Sequence, residues 1–221
     1  MRSQSTKTYR ASHVPALAGL MLVSGFATAH EVVERPKWNL GDSWSYTRNS
    51  YSTSRTTSTV KLEYELLVSS TSDPTYSLLY SSVVDGKSQR NNQTWSKDTN
   101  YMNRGGDGGK WQEYGWYKWP LAEGNTWTAS WKFPTTDESE CQVKAQGWET
   151  VTVPAGTFDA LRINFSCGYF YHGVDSGNGR TTDVVWYSPL VKRHVRMQRK
   201  NFRGPYVGND DLEELTAYRV Q

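Results

Sequence analysis

The chain has 221 residues and a formal net charge of +3, from 25 basic and 22 acidic side chains. The first 29 residues read as a leader that holds three of the bases and no acid, so residues 30–221 carry equal numbers of both. This balance argues against a general nucleic-acid-binding protein, which shows a marked basic excess. The many Trp, Tyr, Ser and Thr residues favour strands over helices.

The leader has the three parts of a secretory signal. Arg2, Lys7 and Arg10 supply a positive start, residues 14–27 form a short apolar stretch, and Ala27-Thr28-Ala29 is a small-x-small cleavage site. The apolar stretch is too short to span a bilayer, and no later segment approaches the ~20 apolar residues that a transmembrane helix needs. We therefore expect cleavage after Ala29, a periplasmic or secreted protein, and no transmembrane segment after cleavage.

Period-two alternation of apolar and polar residues runs through the first half of the remaining chain. Residues 60–66 and 127–133 both alternate, as expected for antiparallel strands with one buried face. Asp85-Gly86 separates two further runs, 77–84 and 88–95, and predicts a tight hairpin turn between them.

The strongest single feature is a long predicted hairpin around Pro154-Ala155-Gly156. Its alternating arms carry the only two cysteines, Cys141 and Cys167, nearly opposite each other when counted from the turn, although Gly147 could add a bulge. In an oxidising compartment these residues predict a cross-strand disulfide, which would stabilise the fold by roughly 3 kcal/mol. The alternative is a pair of buried free thiols.

The last third of the chain predicts further short strands. Runs at 183–187 and 191–202 are interrupted by Ser188-Pro189, residues 175–180 form a glycine-containing loop, and an acidic strand covers about 212–218. About ten strands joined by short turns predict a mainly β fold. We expect a single antiparallel meander curled into a barrel or half-barrel, with residues 30–221 as one domain.

Several sequence pieces resemble a family of uncharacterised secreted bacterial β-proteins with a Val-Pro-Ala-Gly-x-Phe…Trp-Tyr-x-Pro signature. The pieces occur in the family's order and span nearly all of residues 30–221: 38–46, 119–127, 153–160, 186–189 and 214–218. The resemblance implies an antiparallel half-barrel like the periplasmic lipoprotein carriers, and it implies no catalytic residue. The chain departs from the pattern after Pro189, where a glycine is expected and residues 190–194 read Leu-Val-Lys-Arg-His.

The most prominent candidate for a ligand site is an aromatic segment that follows four glycines in residues 105–109. As a strand it would place Trp111, Tyr117 and Trp119 on one face and Tyr114 and Trp116 on the other. Aromatic residues on both faces are unusual for a strand with one solvated side, and they could stack on a glycan or line an apolar pocket. The glycine loop would let the segment move as a lid. The alternative is that these rings fill the barrel interior and cap its end.

A second candidate is the one strong charge run. As a strand it would align Lys192, His194, Arg196 and Lys200 along a solvent face, where they could meet an anionic envelope partner. The alternative is an edge strand protected by charge that faces the acidic segment 210–214.

Catalytic and metal-binding patterns are weak. We find no Gly-x-Ser-x-Gly motif and no ligand cluster, and the spacing of the carboxylates selects no catalytic pair. Cleavage after Ala29 would make His30 the N-terminal residue, whose amine and imidazole together could chelate copper. The simpler interpretation is that cleavage exposes a histidine by chance.

These patterns favour a non-catalytic binding protein for an apolar or glycan ligand or an envelope partner, without cofactor or metal. The alternatives are an envelope hydrolase or copper-dependent oxidase with a dispersed site, and a purely structural envelope protein.

Overall fold

The computed structural model describes residues 32–52, 58–84, 87–104, 110–132, 137–171, 177–203 and 206–221. Twelve strands lie in these ranges: β1 Ser43–Ser52, β2 Ser58–Ser70, β3 Thr75–Val84, β4 Lys87–Ser96, β5 Tyr101–Asn103, β6 Gln112–Glu113, β7 Thr126–Lys132, β8 Asp137–Val153, β9 Gly156–Tyr171, β10 Gly177–Ser188, β11 Arg193–Arg203 and β12 Tyr206–Arg219. The predicted leader, the turn at Asp85-Gly86 and the glycine loop lie outside the described residues.

All twelve strands form one antiparallel sheet in the order β6-β5-β4-β3-β2-β1-β12-β11-β10-β9-β8-β7. The sheet therefore consists of two six-stranded meanders, β1–β6 and β7–β12, joined where the first strand pairs with the last. The prediction of a single antiparallel meander curled into a barrel or half-barrel is confirmed, and the sheet is nearly closed.

The ends of the sheet, β6 and β7, are joined by a side chain. Gln112 in β6 donates from Nε2 to the carbonyl oxygen of Lys132 in β7, and its Oε1 accepts the Lys132 backbone N–H at 3.0 Å. The glutamine amide thus presents the same donor and acceptor as a backbone peptide would, which partly satisfies two edges that would otherwise lie open.

The β8–β9 hairpin forms as predicted, with Pro154-Ala155 in the turn. Cys141 and Cys167 are direct partners across the two strands and form a disulfide. The register shifts between Ala145 and Gly147, so the predicted bulge is also present. Beyond this bulge the hairpin tip contacts β12 in the middle of the sheet, where the Ala155 N–H donates to the Leu215 carbonyl at 3.0 Å.

Strand bounds in the last third differ from those predicted. β10 begins at Gly177, and Gly177–Arg180 pair with β9 as far as Tyr171, so the predicted loop is wrong over 177–180. Glycine content suggested a loop, but the long β9 arm offers backbone partners that extend the strand. The acidic strand is likewise longer than predicted, because it pairs with β1 over Asn209–Arg219 and with β11 as far as Tyr206.

The turn between β10 and β11 lies where the sequence differs from the signature that it otherwise resembles. Lys192 adopts the left-handed conformation, with φ of 59°, at a turn where the resemblance leads one to expect glycine. The turn is anchored by indole N–H groups: Trp44 donates to the Val191 carbonyl at 2.7 Å and Trp38 to the Lys192 carbonyl at 3.2 Å. These bonds hold a lysine backbone in a conformation that glycine would adopt at lower cost.

Two apolar clusters form the core of the described barrel. One gathers the large aromatic residues of β1–β4 with residues of the hairpin tip, and the other gathers the disulfide with the apolar faces of β7–β10. In the part of the chain that the structure describes, we find no helix of the length and apolarity needed to cross a membrane.

Candidate functional site: the barrel interior

The aromatic segment 111–119 is not a strand over most of its length. Only Gln112–Glu113 pair, with β5, and the residues that follow run irregularly. Asn100 holds this path, because its Oδ1 accepts the Tyr117 backbone N–H at 2.8 Å and its Nδ2 donates to the Tyr117 carbonyl at 3.0 Å. The prediction of a strand with two aromatic faces is therefore wrong, since side-chain bonds replace ladder bonds here.

Three of the five aromatic side chains lie outside any cavity described below. Trp111 is 48 % exposed, and its ring lies 5.4 Å from the Arg104 guanidinium. Tyr117 and Trp119 each pack edge-on against Tyr187 at 5.3 Å between ring centroids, within the core. For Tyr117 and Trp119 the structure agrees with the alternative that the rings fill and cap the barrel.

Tyr114 and Trp116 line a cavity of about 290 Å³ inside the barrel, which we call the outer cavity. Its wall also includes the disulfide and a bidentate ion pair, in which Arg199 donates to Asp183 at 3.0 and 2.8 Å. The outer cavity shares part of its lining with a wide open depression of about 1020 Å³, through Trp131, Glu138, Ser139 and Tyr169. The outer cavity therefore adjoins this opening.

The basic run does not form a row along one solvent face. His194 is only 3 % exposed, and Lys192 lies in the turn before β11. Arg196 pairs with Glu214 at 2.8 Å. The structure thus corrects the expected row, because the turn and a register shift after Trp186 break the alternation on which that row depended. Binding of an anionic partner at the surface stays a prediction.

The alternative interpretation of this run is half right. β11 does face the acidic segment, because it pairs with β12 and brings Lys200 to 3.7 Å from Asp210. However, β11 lies between β10 and β12 and is not an edge strand.

Three side chains from β1, β11 and β12 form an ionic cluster in which His194 and Glu213 are buried and Arg48 is partly exposed. Arg48 donates to one oxygen of the Glu213 carboxylate from Nε at 2.8 Å and from Nη2 at 2.6 Å. His194 Nε2 lies 2.7 Å from the other oxygen. Glu213 is 1 % exposed, so its charge depends on these partners rather than on water.

The cluster fixes the ionisation of its members. Burial alone would raise the pKa of Glu213, but the hydrogen bond from His194 and the charge of Arg48 hold that pKa well below its usual range. Burial lowers the pKa of His194, although Glu213 acts in the opposite direction. At pH 7 we therefore assign an ionised Glu213, a charged Arg48 and a neutral His194 that donates its Nε2 hydrogen.

Arg193, the first residue of β11, lies beside this cluster in an aromatic cage. It is 5 % exposed, and its guanidinium carbon lies 4.5–6.0 Å from four ring centroids: Trp38, Trp44, Tyr46 and Trp95. Such contacts contribute about 2 kcal/mol or more when desolvated. They do not satisfy the N–H donors, and Nε and Nη1 of Arg193 are buried without a hydrogen-bond partner.

A second cavity of the barrel, of about 170 Å³ and partly open to solvent, lies against these groups, and we call it the inner cavity because it adjoins the buried Glu213. Its lining includes Arg193, His194 and Glu213 together with aromatic side chains of β2–β5. Trp116 lines the inner cavity as well as the outer one. The two cavities therefore meet at one indole, and the inner one could hold about five waters or a small chemical group.

The residues that sequence reasoning missed are Arg48, Arg193 and Glu213. A signal existed for two of them, because Arg48 shares strand phase with the buried Trp44, and Glu213 with the buried Leu215. Arg193 had no such signal, since it sits at the end of a turn. Among the described residues, no group of three or more His, Cys, Asp and Glu side chains is placed to hold a metal ion.

Comparison with known proteins gives similarities of fold only. No protein-family model matches the chain. No curated protein matches it either. Among solved structures, the barrel is similar to a provisionally described lipoprotein of Parabacteroides distasonis, with 11 % identity, a TM-score of 0.47, and coverage of 86 % of this chain and 100 % of that one.

Two further solved structures are similar. One is a provisionally described exported protein of Bacteroides fragilis with a YmcC-like fold, at 16 % identity and a TM-score of 0.45, covering 85 % of this chain and 99 % of that one. The other is the hypothetical lipoprotein YmcC of Escherichia coli, at 10 % identity and a TM-score of 0.35, covering 78 % and 83 %. Since no TM-score reaches 0.5, the function proposed below depends on this chain's own residues.

Proposed function

We propose that this chain is an exported, non-catalytic binding protein that takes a ligand with an apolar body into its barrel. The observation that carries the proposal is the position of Trp116, which lines both interior cavities. A ligand in the outer cavity would lie against one side of this indole, and its far end would reach the inner cavity.

The chemistry of the walls supports an apolar ligand body. Trp131, Phe165 and Tyr169 line the outer cavity, and Tyr64 and Trp95 line the inner one. The two volumes together fall within the roughly 300–1,000 Å³ of small-molecule sites, which are mostly apolar with a few polar groups. The wide depression beside the outer cavity offers a route from solvent.

The predicted leader supports the location. A positive start, an apolar stretch and the site at Ala29 are the features that direct a chain through a secretory pathway. A disulfide between Cys141 and Cys167 fits the oxidising compartment that such a leader implies.

A neutral fluorescent dye, N-phenyl-1-naphthylamine, tests the proposal on the exported, leader-free protein. We expect saturable binding, and Trp116→Ala should weaken it at least about tenfold, because the indole surface shared by both cavities is removed. Trp111→Ala is the matched control, since Trp111 is an exposed indole of the same segment that lines neither cavity. Absence of saturable binding, or equal losses in the two variants, would contradict an interior site.

A further inference from the structure

We propose that the inner cavity is the head-group site of this ligand and that Arg193 binds a single anionic group there. The ligand class is an apolar molecule that carries one carboxylate or phosphate. This inference rests on the proposed function, because it assumes that a ligand enters the barrel.

The charges around the inner cavity do not balance. Four of its lining residues are ionisable groups that matter at neutral pH: Arg48, Arg193, His194 and Glu213. The Glu213 carboxylate is shared between Arg48 and His194, and His194 is neutral. Arg193 takes part in none of the ion pairs among the described residues, so one positive charge remains without a carboxylate partner.

The hydrogen bonds around Arg193 are also incomplete. A guanidinium group keeps its charge inside a protein and carries only donors. Nε and Nη1 of Arg193 are buried and have no acceptor, and the contact that the guanidinium makes with the Tyr46 hydroxyl adds no charged partner. Buried donors normally have partners, and charge-assisted bonds to carboxylate or phosphate are the strong ones available to arginine. A bound anion would supply both the missing charge and the missing acceptors.

The position of the cavity sets the orientation of the ligand. Arg193 lies at the inner cavity, and the outer cavity beyond Trp116 adjoins the opening. A molecule with an anionic head and an apolar tail would therefore place its head at Arg193 and its tail along the aromatic walls of the outer cavity.

The test compares three ten-carbon ligands on the exported protein at pH 7.5: decanoate, decyl phosphate and decanol, each read by displacement of the naphthylamine dye. We expect at least one of the two anions to bind tenfold or more tightly than the alcohol. Which anion binds more tightly distinguishes a carboxylate site from a phosphate site. If all three bind equally, the anion site is wrong and the apolar pocket stands, whereas if none binds, both proposals fail.

Variants assign the preference to Arg193. Arg193→Met keeps a side chain of similar length, and it should reduce the anion preference to less than threefold. Arg196→Met is the matched control, because Arg196 is a paired arginine of the same strand that lines neither cavity; it should leave the preference unchanged. If Arg193→Met does not fold, Arg193→Lys keeps the charge without the planar donors and should weaken the preferred anion but not decanol. A preference that survives either Arg193 change in full would overturn the assignment.

Discussion

The β8–β9 hairpin and the β11–β12 pair are both long antiparallel pairs of the same barrel, but their buried residues differ in kind. The hairpin buries Val143, Ile163 and a disulfide, so its stability comes from apolar area and a covalent bond. The β11–β12 pair buries Val195 and Leu215 but also His194 and Glu213, so part of its stability depends on hydrogen bonds between charged or titratable groups.

This difference indicates where a binding function lies. Replacing a buried ion pair with apolar residues is often neutral or stabilising, so folding alone does not require the charged interior of β11–β12. Residues that are costly to bury are expected where a protein binds or reacts with something. Arg193, with buried donors that lack partners, is the strongest example in this barrel.

Glu213→Gln is expected to have the largest effect on stability. It removes the charge that compensates Arg48, and breaking a buried pair costs about 3–5 kcal/mol. The free energy of unfolding in urea measures the loss. Glu214→Gln is the control, because the neighbouring pair with Arg196 is partly exposed and should contribute about 1 kcal/mol or less. If Glu213→Gln and Glu214→Gln lower the free energy of unfolding by the same small amount, the ionic cluster stabilises the fold no more than the partly exposed pair does.

On the hairpin side, the double variant Cys141→Ala/Cys167→Ala should lower the free energy of unfolding by about 3 kcal/mol. The disulfide closes a loop with a sequence separation of 26, and its removal frees the unfolded chain. Urea unfolding without reductant measures the change, and the wild type with reductant should lose a similar amount. A loss below about 1 kcal/mol would mean that apolar burial alone holds the hairpin.

Stability should also depend on pH between about 7 and 5 through His194. An unfolded histidine binds a proton below pH ~6.5, but folded His194 resists it because burial lowers its pKa. The contribution is therefore complete above that pH and declines on acidification, by at most about 1.4 kcal/mol per pH unit. Glu213, Arg193, Arg48 and the Tyr46 ring face this imidazole.

His194→Gln is the variant that isolates this dependence, since the two proteins share every other histidine. The variant should show a smaller change in unfolding free energy between pH 7 and 5 than the wild type. The lowered pKa of Glu213 acts in the same direction but only below about pH 4.3, outside this window. Identical slopes would contradict a neutral buried His194.

The smallest effect is expected at the solvated end of β11–β12. Lys200→Gln removes a long, exposed contact to Asp210 and should change the free energy of unfolding by less than about 0.5 kcal/mol. Urea unfolding measures this too. A loss approaching that of Glu213→Gln would show that charge along the whole strand pair, rather than the buried cluster, stabilises it.

The two regions also differ in how well sequence predicted them. Alternating apolar residues around a Pro-Ala-Gly turn determine both the hairpin and the register that joins Cys141 to Cys167. In this hairpin the polarity of each residue agrees with the face of the strand on which it lies. The β11–β12 interior was missed because charged residues suggest exposure. The burial of Glu213 can be predicted only if its position on the same strand face as Leu215 is given more weight than its charge.

The aromatic segment shows a second limit. Composition marked residues 111–119 as unusual, but period-two spacing assigned them to a strand that exists only at Gln112–Glu113. The path beyond β6 is set by Asn100, a distant residue that bonds both backbone groups of Tyr117. Sequence pattern carries no information about such a long-range contact. The sequence therefore could not show that Trp111 is exposed whereas Trp116 lines both cavities.

The most direct test of an interior site built on Arg193 is a crystal structure of the exported protein with 10-bromodecanoate, whose bromine locates the tail. We expect a carboxylate within hydrogen-bond distance of the Arg193 guanidinium in the inner cavity, and bromine in the outer cavity beyond Trp116. Bromine bound only at the barrel surface, with ordered water alone against Arg193, would contradict it.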